Sequence, residues 1–215
     1  MPRTIDPKAA VAHLRAADPV FARILDEVGP YTAEAPQSYE PFRVLARAIV
    51  FQQLSGKAAT TIFNRFVAQF EGGSPFPDPA QVLALPEPRF REAGLSRQKT
   101  AALLSLAEHF ASGELAPEAI LQWEDEDVVT HLTRVRGIGR WSAEMFLLFQ
   151  LQRADVLPVN DVGVNRAIMR RYGLGAMPKP AEVLSIGAPW RPWASVACWY
   201  LWRSEDTLVP EAKGT

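Results

Sequence analysis

Residues 132–161 read LTRVRGIGRWSAEMFLLFQLQRADVLPVND, from Leu132 to Asp161, and the rest of the chain is best understood from this stretch. A polar, acid-rich segment from Glu124 to Arg134 leads into Arg136-Gly137-Ile138-Gly139-Arg140, and a strongly apolar segment runs from Trp141 to about Leu151. The pattern predicts two helices joined by a hairpin too tight for side chains at its glycines. Gly139 abuts the start of the second helix, where free N–H groups and the positive end of the helix dipole point outward. Such an end suits a phosphate, and Arg134, Arg136 and Arg140 bring positive charge to it. An ordinary helix–helix turn would also explain two glycines one residue apart. Asp161 follows Gly139 by 22 residues, just past Pro158, at the predicted start of a further helix.

Working outward, the chain reads as helices throughout. Asp18-Pro19 is a cap followed by a first-turn proline, separating helices over Thr4–Ala17 and Asp18–Val28. Ser38 is placed to cap a helix from Tyr39 to Phe51, with Phe42, Leu45, Ala46, Ile49 and Val50 on one face. Ser55 caps Gly56–Phe70, a turn covers Gly72–Pro79, and short helices cover Asp78–Leu85 and Pro86–Gly94. Ser96 caps Arg97–Ala111, whose apolar stripe reads Ala101, Leu104, Ala107 and Phe110. Further helices are expected over Pro117–Trp123, Gly163–Tyr172, Pro180–Ile186 and Trp193–Arg203. No period-two alternation marks a strand and no internal repeat appears. The expected fold class is all-α.

Composition narrows the function. The chain has 215 residues, 48% of them apolar, enough for one large domain or two small ones. A single cysteine, Cys198, excludes an intramolecular disulfide and an iron–sulfur cluster held by four cysteines. His13, His109 and His131 lack metal-ligand spacing. With no signal-peptide pattern and no apolar run near the length of a membrane span, a soluble, cytoplasmic protein is expected, nucleoid-associated in a bacterial cell. The net charge is −1, which by itself does not suggest a polyanion as partner. The distribution does: Thr133–Gly173 holds seven arginines against three acids, clustered around the hairpin.

Together these motifs resemble the helix-hairpin-helix base-excision DNA glycosylase superfamily, from about Tyr39 to Arg203. Gly-Ile-Gly-Arg-Trp-Ser-Ala over 137–143 is similar to its alkylation-repair branch, the 3-methyladenine DNA glycosylase II (AlkA-type) proteins. The resemblance implies two helical subdomains flanking a cleft: residues 38–154 as a six-helix barrel-like domain carrying the helix-hairpin-helix, and residues 1–37 with 155–215 as the second. It implies a monofunctional hydrolase acting on the N-glycosidic bond of alkylated bases of the 3-methyladenine type, on double-stranded DNA, as a monomer that needs no cofactor. Some relatives carry a cluster near the C-terminus; this chain lacks the cysteines for one.

The resemblance also implies site residues. Asp161 falls at the superfamily's catalytic aspartate, though a carboxylate at a helix start is also an ordinary cap. A carboxylate there would oppose the positive charge that develops on the sugar. Trp141 stands where members that also cut the backbone carry a Schiff-base lysine, which argues for hydrolysis by water. Trp141, Met145, Trp202 and Phe42 are the expected base pocket, aromatic faces being attractive to a cationic alkylated base; aromatic residues at helical spacing also serve as core. Gln53, with Leu54 beside it, is the expected wedge filling the gap left by a flipped base, although a Gln-Gln-Leu turn can be only a connector. Gly137, Gly139, Arg136 and Arg140 are the expected phosphate contacts, and the backbone carbonyls of Thr133, Val135 and Ile138 the expected ligands of a monovalent cation. A glycosylase for other damaged or mismatched bases, or a non-catalytic helix-hairpin-helix DNA-binding protein, are the alternatives.

Overall fold

The structure is a computed structural model that describes residues 5–70 and 76–208, with side chains through 205. Among the described residues there are thirteen α-helices, one short 3₁₀ turn and no strand. The all-α expectation therefore holds. No described helix is long and apolar enough to cross a membrane. The chain divides into two compact units, residues 1–35 with 147–215, and residues 36–146. The division falls inside a helix rather than in the loop after Ala154.

The first unit begins with α1 (Pro7–Ala17) and α2 (Pro19–Val28). Asp6 and Asp18 cap them, accepting from the N–H groups of Ala9 and Val20, and each cap is followed by a proline at the first helical position. That placement satisfies donors a helix end otherwise leaves orphaned. The second unit holds α3 (Pro41–Phe51), α4 (Gly56–Val67), α5 (Pro79–Ala84), α6 (Glu87–Glu92), α7 (Arg97–Ala111), α8 (Pro117–Gln122) and α9 (Asp125–Leu132). It ends within α10 (Arg140–Phe149). The first unit then resumes with α11 (Val162–Arg171), α12 (Pro180–Gly187), the 3₁₀ turn Ala188–Trp190 and α13 (Ala194–Leu208).

In the first unit α13 packs on α2, α11 and α1. Its core gathers Leu14, Phe21, Ile24, Ile168, Trp190 and Leu201, all essentially inaccessible. Phe21 and Trp190 pack edge to face with ring centroids 5.1 Å apart. Asp18 is also buried, and its second oxygen accepts from the Trp190 indole at 3.1 Å and from the Tyr172 hydroxyl. One capping carboxylate thus joins α2, the end of α11 and the 3₁₀ turn, which is how a buried charge is tolerated.

In the second unit α7 packs on α3, α5 and α6. The helix face expected for α3 is buried through Leu45, Ala46, Ile49 and Val50, and α4 buries Ala59, Phe63 and Phe66. Three sequence expectations fail here. Ser55 stands at the cap position of α4 but makes no side-chain cap bond. Ser38 does not cap α3, which starts at Pro41 with Glu40 as its cap residue and no side-chain cap bond; Ser38 bonds Glu40 instead. Of the stripe expected on α7 only Ala107 is buried; the true core face is Thr100, Ala102, Leu103, Leu106 and Ala107. Polar residues that serve tertiary contacts mask the period of that helix. Part of the turn expected over Gly72–Pro79 lies outside the described residues.

Candidate functional site

The first unit builds a carboxylate site. Pro158 and Asn160 lead into Asp161, whose N–H turns back onto the Pro158 carbonyl at 2.9 Å. The turn is braced by Asn165, whose side-chain amide donates to the Val159 carbonyl at 3.0 Å. Asp161 then caps α11, one oxygen, Oδ1, accepting from the Val164 N–H at 2.7 Å. The same oxygen accepts from the indole N–H of Trp202 at 2.9 Å. Asp161 is only 7% exposed. It is therefore a cap as the local sequence allows, but a cap held by a tryptophan from a helix 41 residues on.

The face of Trp202 stacks on Phe149, with ring centroids 5.7 Å apart and planes at 28°. Phe149 is 55% exposed, and Val162, beside Asp161, is also exposed. Gly163 makes this arrangement possible. A Cβ there would lie 2.9 Å from the Trp202 Cδ1, 3.0 Å from its Nε1 and 3.2 Å from Asp161 Oδ1. Sequence reasoning assigned Trp202 to a base pocket and did not single out Phe149 or Gly163. The signal for Gly163 was the glycine two residues after the aspartate; nothing local linked it to Trp202.

The second unit carries the hairpin and the loop on which the wedge is expected. Gln53 is exposed and sits at φ +58°, a left-handed conformation that costs a non-glycine residue about 1 kcal/mol or more. Leu54 is 39% exposed. The loop is tied to the hairpin by Gln52, whose side-chain amide donates to the Gly137 carbonyl at 2.9 Å. A concavity of about 470 Å3 lies between them, lined by Gln52, Gln53, Leu54, Lys99, Arg136 and Gly137 among others.

The two hairpin glycines differ. Gly137 has φ +83°, and a Cβ on it would come within 3.1 Å of Ala102 Cβ, so both its backbone and its packing require glycine. Gly139 has an ordinary φ and open space where a Cβ would stand. The expectation that the turn needs both glycines is thus corrected: the folded chain demands only the first. The N–H groups of Gly137 and Gly139 donate to no described residue, whereas the Arg136 N–H bonds Ser105 Oγ at 3.2 Å and the Ile138 N–H bonds the Val135 carbonyl at 3.1 Å.

The arginines divide as well. Arg140 pairs with Glu126 through both nitrogens and with Glu144 at 3.7 Å, which holds the Glu126 carboxyl below its usual range, chiefly through the Arg140 hydrogen bond. Arg134 pairs with Glu114 at 3.3 Å. Arg136 is exposed on the rim of the concavity and makes no ion pair with a described residue. Sequence reasoning brought all three to one place; neutralisation by Glu126, Glu144 and Glu114 was not foreseen.

Trp141 is 48% exposed near the start of α10, and Met145 is half-buried one turn on. Phe42 is held in an aromatic cluster, 5.2 Å from Phe110 and 5.7 Å from Phe76. Its ring is engaged on two sides and serves the interior of the second unit.

Comparison with known proteins identifies the family. Residues 46–192 match the family model described as HhH-GPD superfamily base excision DNA repair protein. The chain is 34% identical over 197 residues to DNA-3-methyladenine glycosylase 1 of Schizosaccharomyces pombe, covering 91% of this chain and 86% of that one. It is 29% identical over 204 residues to the alkylbase DNA glycosidase-like protein mag2 of the same yeast, covering 94% and 96%. Among solved structures, the DNA-3-methyladenine glycosidase of Bacillus halodurans superposes with a TM-score of 0.82 at 36% identity, over 93% of this chain and 90% of that one. The S. pombe 3-methyladenine DNA glycosylase in complex with abasic DNA gives 0.78 at 33%, over 92% and 97%. With the matched residues spanning hairpin, aspartate and the helices between them, the chain belongs to the HhH-GPD superfamily of base excision DNA repair proteins.

Proposed function

We propose that this protein is a monofunctional DNA glycosylase that hydrolyses the N-glycosidic bond of alkylated bases, 3-methyladenine-type lesions foremost, in double-stranded DNA. The observation that carries the reading is the Asp161 carboxylate, buried and fixed through one oxygen by two N–H donors at the start of α11. Cleaving the bond leaves the sugar with oxocarbenium character. A fixed anion beside it lowers the barrier without reorganising and orients the attacking water. Similarity to relatives named for 3-methyladenine supports the substrate class. Alkylation at a ring nitrogen makes the purine cationic, which aids its departure and draws it to aromatic faces; Trp141 and Trp202 are the residues for that recognition, and Met145 adds apolar, polarizable surface.

The target base must leave the stack. Gln53 and Leu54, on an exposed loop, would fill the gap. The hairpin would hold a backbone phosphate through the N–H groups of Gly137 and Gly139, with Arg136 supplying charge. The carbonyls of Thr133, Val135 and Ile138 suit a monovalent cation: only that of Val135 accepts a described backbone hydrogen bond outside the helices, and a carbonyl has two lone pairs. Such an ion would add positive charge facing the phosphate. The protein acts as a monomer.

The test is base release by the wild-type protein from a panel of single-lesion duplexes. We expect release of 3-methyladenine and 7-methylguanine, an abasic product cleaved only after alkali, and no adduct on borohydride treatment, because Trp141 cannot form a Schiff base. Failure to release any alkylated base, or a trapped adduct, overturns the reading.

A further inference from the structure

Lys99 is oddly placed for a residue whose only task is to stabilise its helix. It lies in the first turn of α7, where a cation opposes the helix dipole, and it is half-buried, so loss of hydration pushes its ammonium below the usual lysine range. Its partners explain the position. Nζ donates to the Val50 carbonyl at 2.6 Å and to the Gln52 carbonyl at 2.9 Å, groups left without helical partners where α3 ends. These carbonyls flank the entrance to the loop that carries Gln53.

Two more residues of α7 continue the same face at a spacing of three. A Cβ on Gly137 would meet Ala102 Cβ at 3.1 Å, and Ser105 Oγ accepts from the Arg136 N–H. One helix face therefore touches the wedge loop at Lys99 and the hairpin at Ala102 and Ser105, while Gln52 bridges the two loops directly. Neither loop has a regular element of its own to fix its distance from the other.

We propose that Lys99 is a positioning residue for base extrusion: through the carbonyls of Val50 and Gln52 it holds the wedge loop at a set distance from the phosphate-binding hairpin. The inference rests on the glycosylase reading, in which Gln53 or Leu54 enters the stack while the hairpin grips the backbone. A wedge works only if the grip and the inserted side chain are in fixed register, since insertion must offset the cost of unstacking and unpairing. The strained backbone at Gln53 is consistent with a loop held from outside rather than by its own preference.

The experiment compares wild type, Lys99→Met and Lys99→Arg in single-turnover base release at saturating enzyme. The substrates carry one 7-methylguanine, paired with cytosine or mismatched with adenine. Lys99→Met should slow release from the paired lesion about tenfold or more and from the mismatched one less than about threefold, because a weakened pair needs less help to open. Lys99→Arg, which keeps a cationic donor, should recover most of the loss. Equal losses on both substrates, or no loss on the paired one, overturn the proposal and leave the glycosylase reading standing. If the wild type releases no base, that reading fails. Fluorescence of 2-aminopurine at the target position then decides for Lys99: a rise with wild type that Lys99→Met diminishes supports it, and no rise with wild type, or equal rises, overturns it. Should Lys99→Met fail to fold by circular dichroism, Gln52→Leu cuts the direct link between the loops and must show the same paired-over-mismatched loss.

Discussion

The indole of Trp202 donates to Asp161 Oδ1 at 2.9 Å, onto the oxygen that also receives the Val164 N–H. Two donors on one oxygen set the rotation of the carboxylate, so the proposed catalytic group is oriented before any substrate arrives. Replacing Trp202 by Phe keeps a ring beside Phe149 and removes this donor together with the pyrrole edge that packs on Gly163. A hydrogen bond to a charged group is worth about 1.5–3 kcal/mol, so base release should fall by about tenfold or more, on cationic and neutral lesions alike. Single-turnover rates on 7-methylguanine and hypoxanthine check this; a loss confined to the cationic base would instead mark Trp202 as a cation–π contact alone.

Asp161→Asn should keep the fold and lose the chemistry. Asparagine caps a helix about as well as aspartate, and its amide oxygen can still accept from Val164 and Trp202. The thermal midpoint should therefore stay close to wild type while base release drops by about a hundredfold or more, the scale typical of removing a preorganised electrostatic partner. Near wild-type rates would remove Asp161 from the mechanism.

Gly163→Ala should damage the same site by crowding. Its methyl would press on the Trp202 indole at 2.9–3.0 Å, costing about 1–3 kcal/mol in overpacking. Melting and base release should both decline, and Gly163→Ala combined with Trp202→Phe should lose less than the sum, because the two changes share one contact.

DNA binding should depend on Arg136 more than on Arg140. Arg140 is already paired with Glu126 and Glu144, and each carboxylate must be released before it can neutralise a phosphate. Arg136→Ala should reduce the slope of log affinity against log salt by about 0.9, one phosphate's share, and Arg140→Ala by less. Fluorescence anisotropy across a salt series measures both.

Stability at alkaline pH should reflect Tyr172. Burial first, and then its hydrogen bond to Asp18, push this phenol above the ordinary tyrosine range. The folded state therefore holds the proton more tightly than the unfolded chain does. The stabilisation is complete below the unfolded pKa of about 10 and is lost as pH rises above it. Tyr172→Phe should lower stability near neutral pH but flatten the decline above that point, as read from denaturant midpoints.

The parts of this molecule legible in the sequence are those decided within a few residues. Asp18-Pro19, Ser96 and Asp161 announce helix starts because a cap acts on N–H groups two or three positions away. The hairpin and α10 could be read from their glycines and apolar run. What stayed hidden depends on distance. Trp202 and Gly163 meet across 39 positions, Arg140 finds Glu126 fourteen residues upstream, and Lys99 reaches carbonyls nearly fifty residues earlier. The face of α7 is hidden for the same reason: Lys99 and Ser105 are placed by the loops they hold, so the helix shows no clean apolar period.

The contrast between Gly137 and Gly139 bears on how variants of this protein would be sorted. Gly137 answers to the fold, so any screen for folded protein will retain it. Around Gly139 the free chain leaves room for a side chain, and a library selected for solubility or heat resistance should accept alanine or serine there without penalty. Only a screen that includes DNA would reject them. Stability data alone would therefore rank Gly139 as expendable, although the proposed phosphate contact needs that space open.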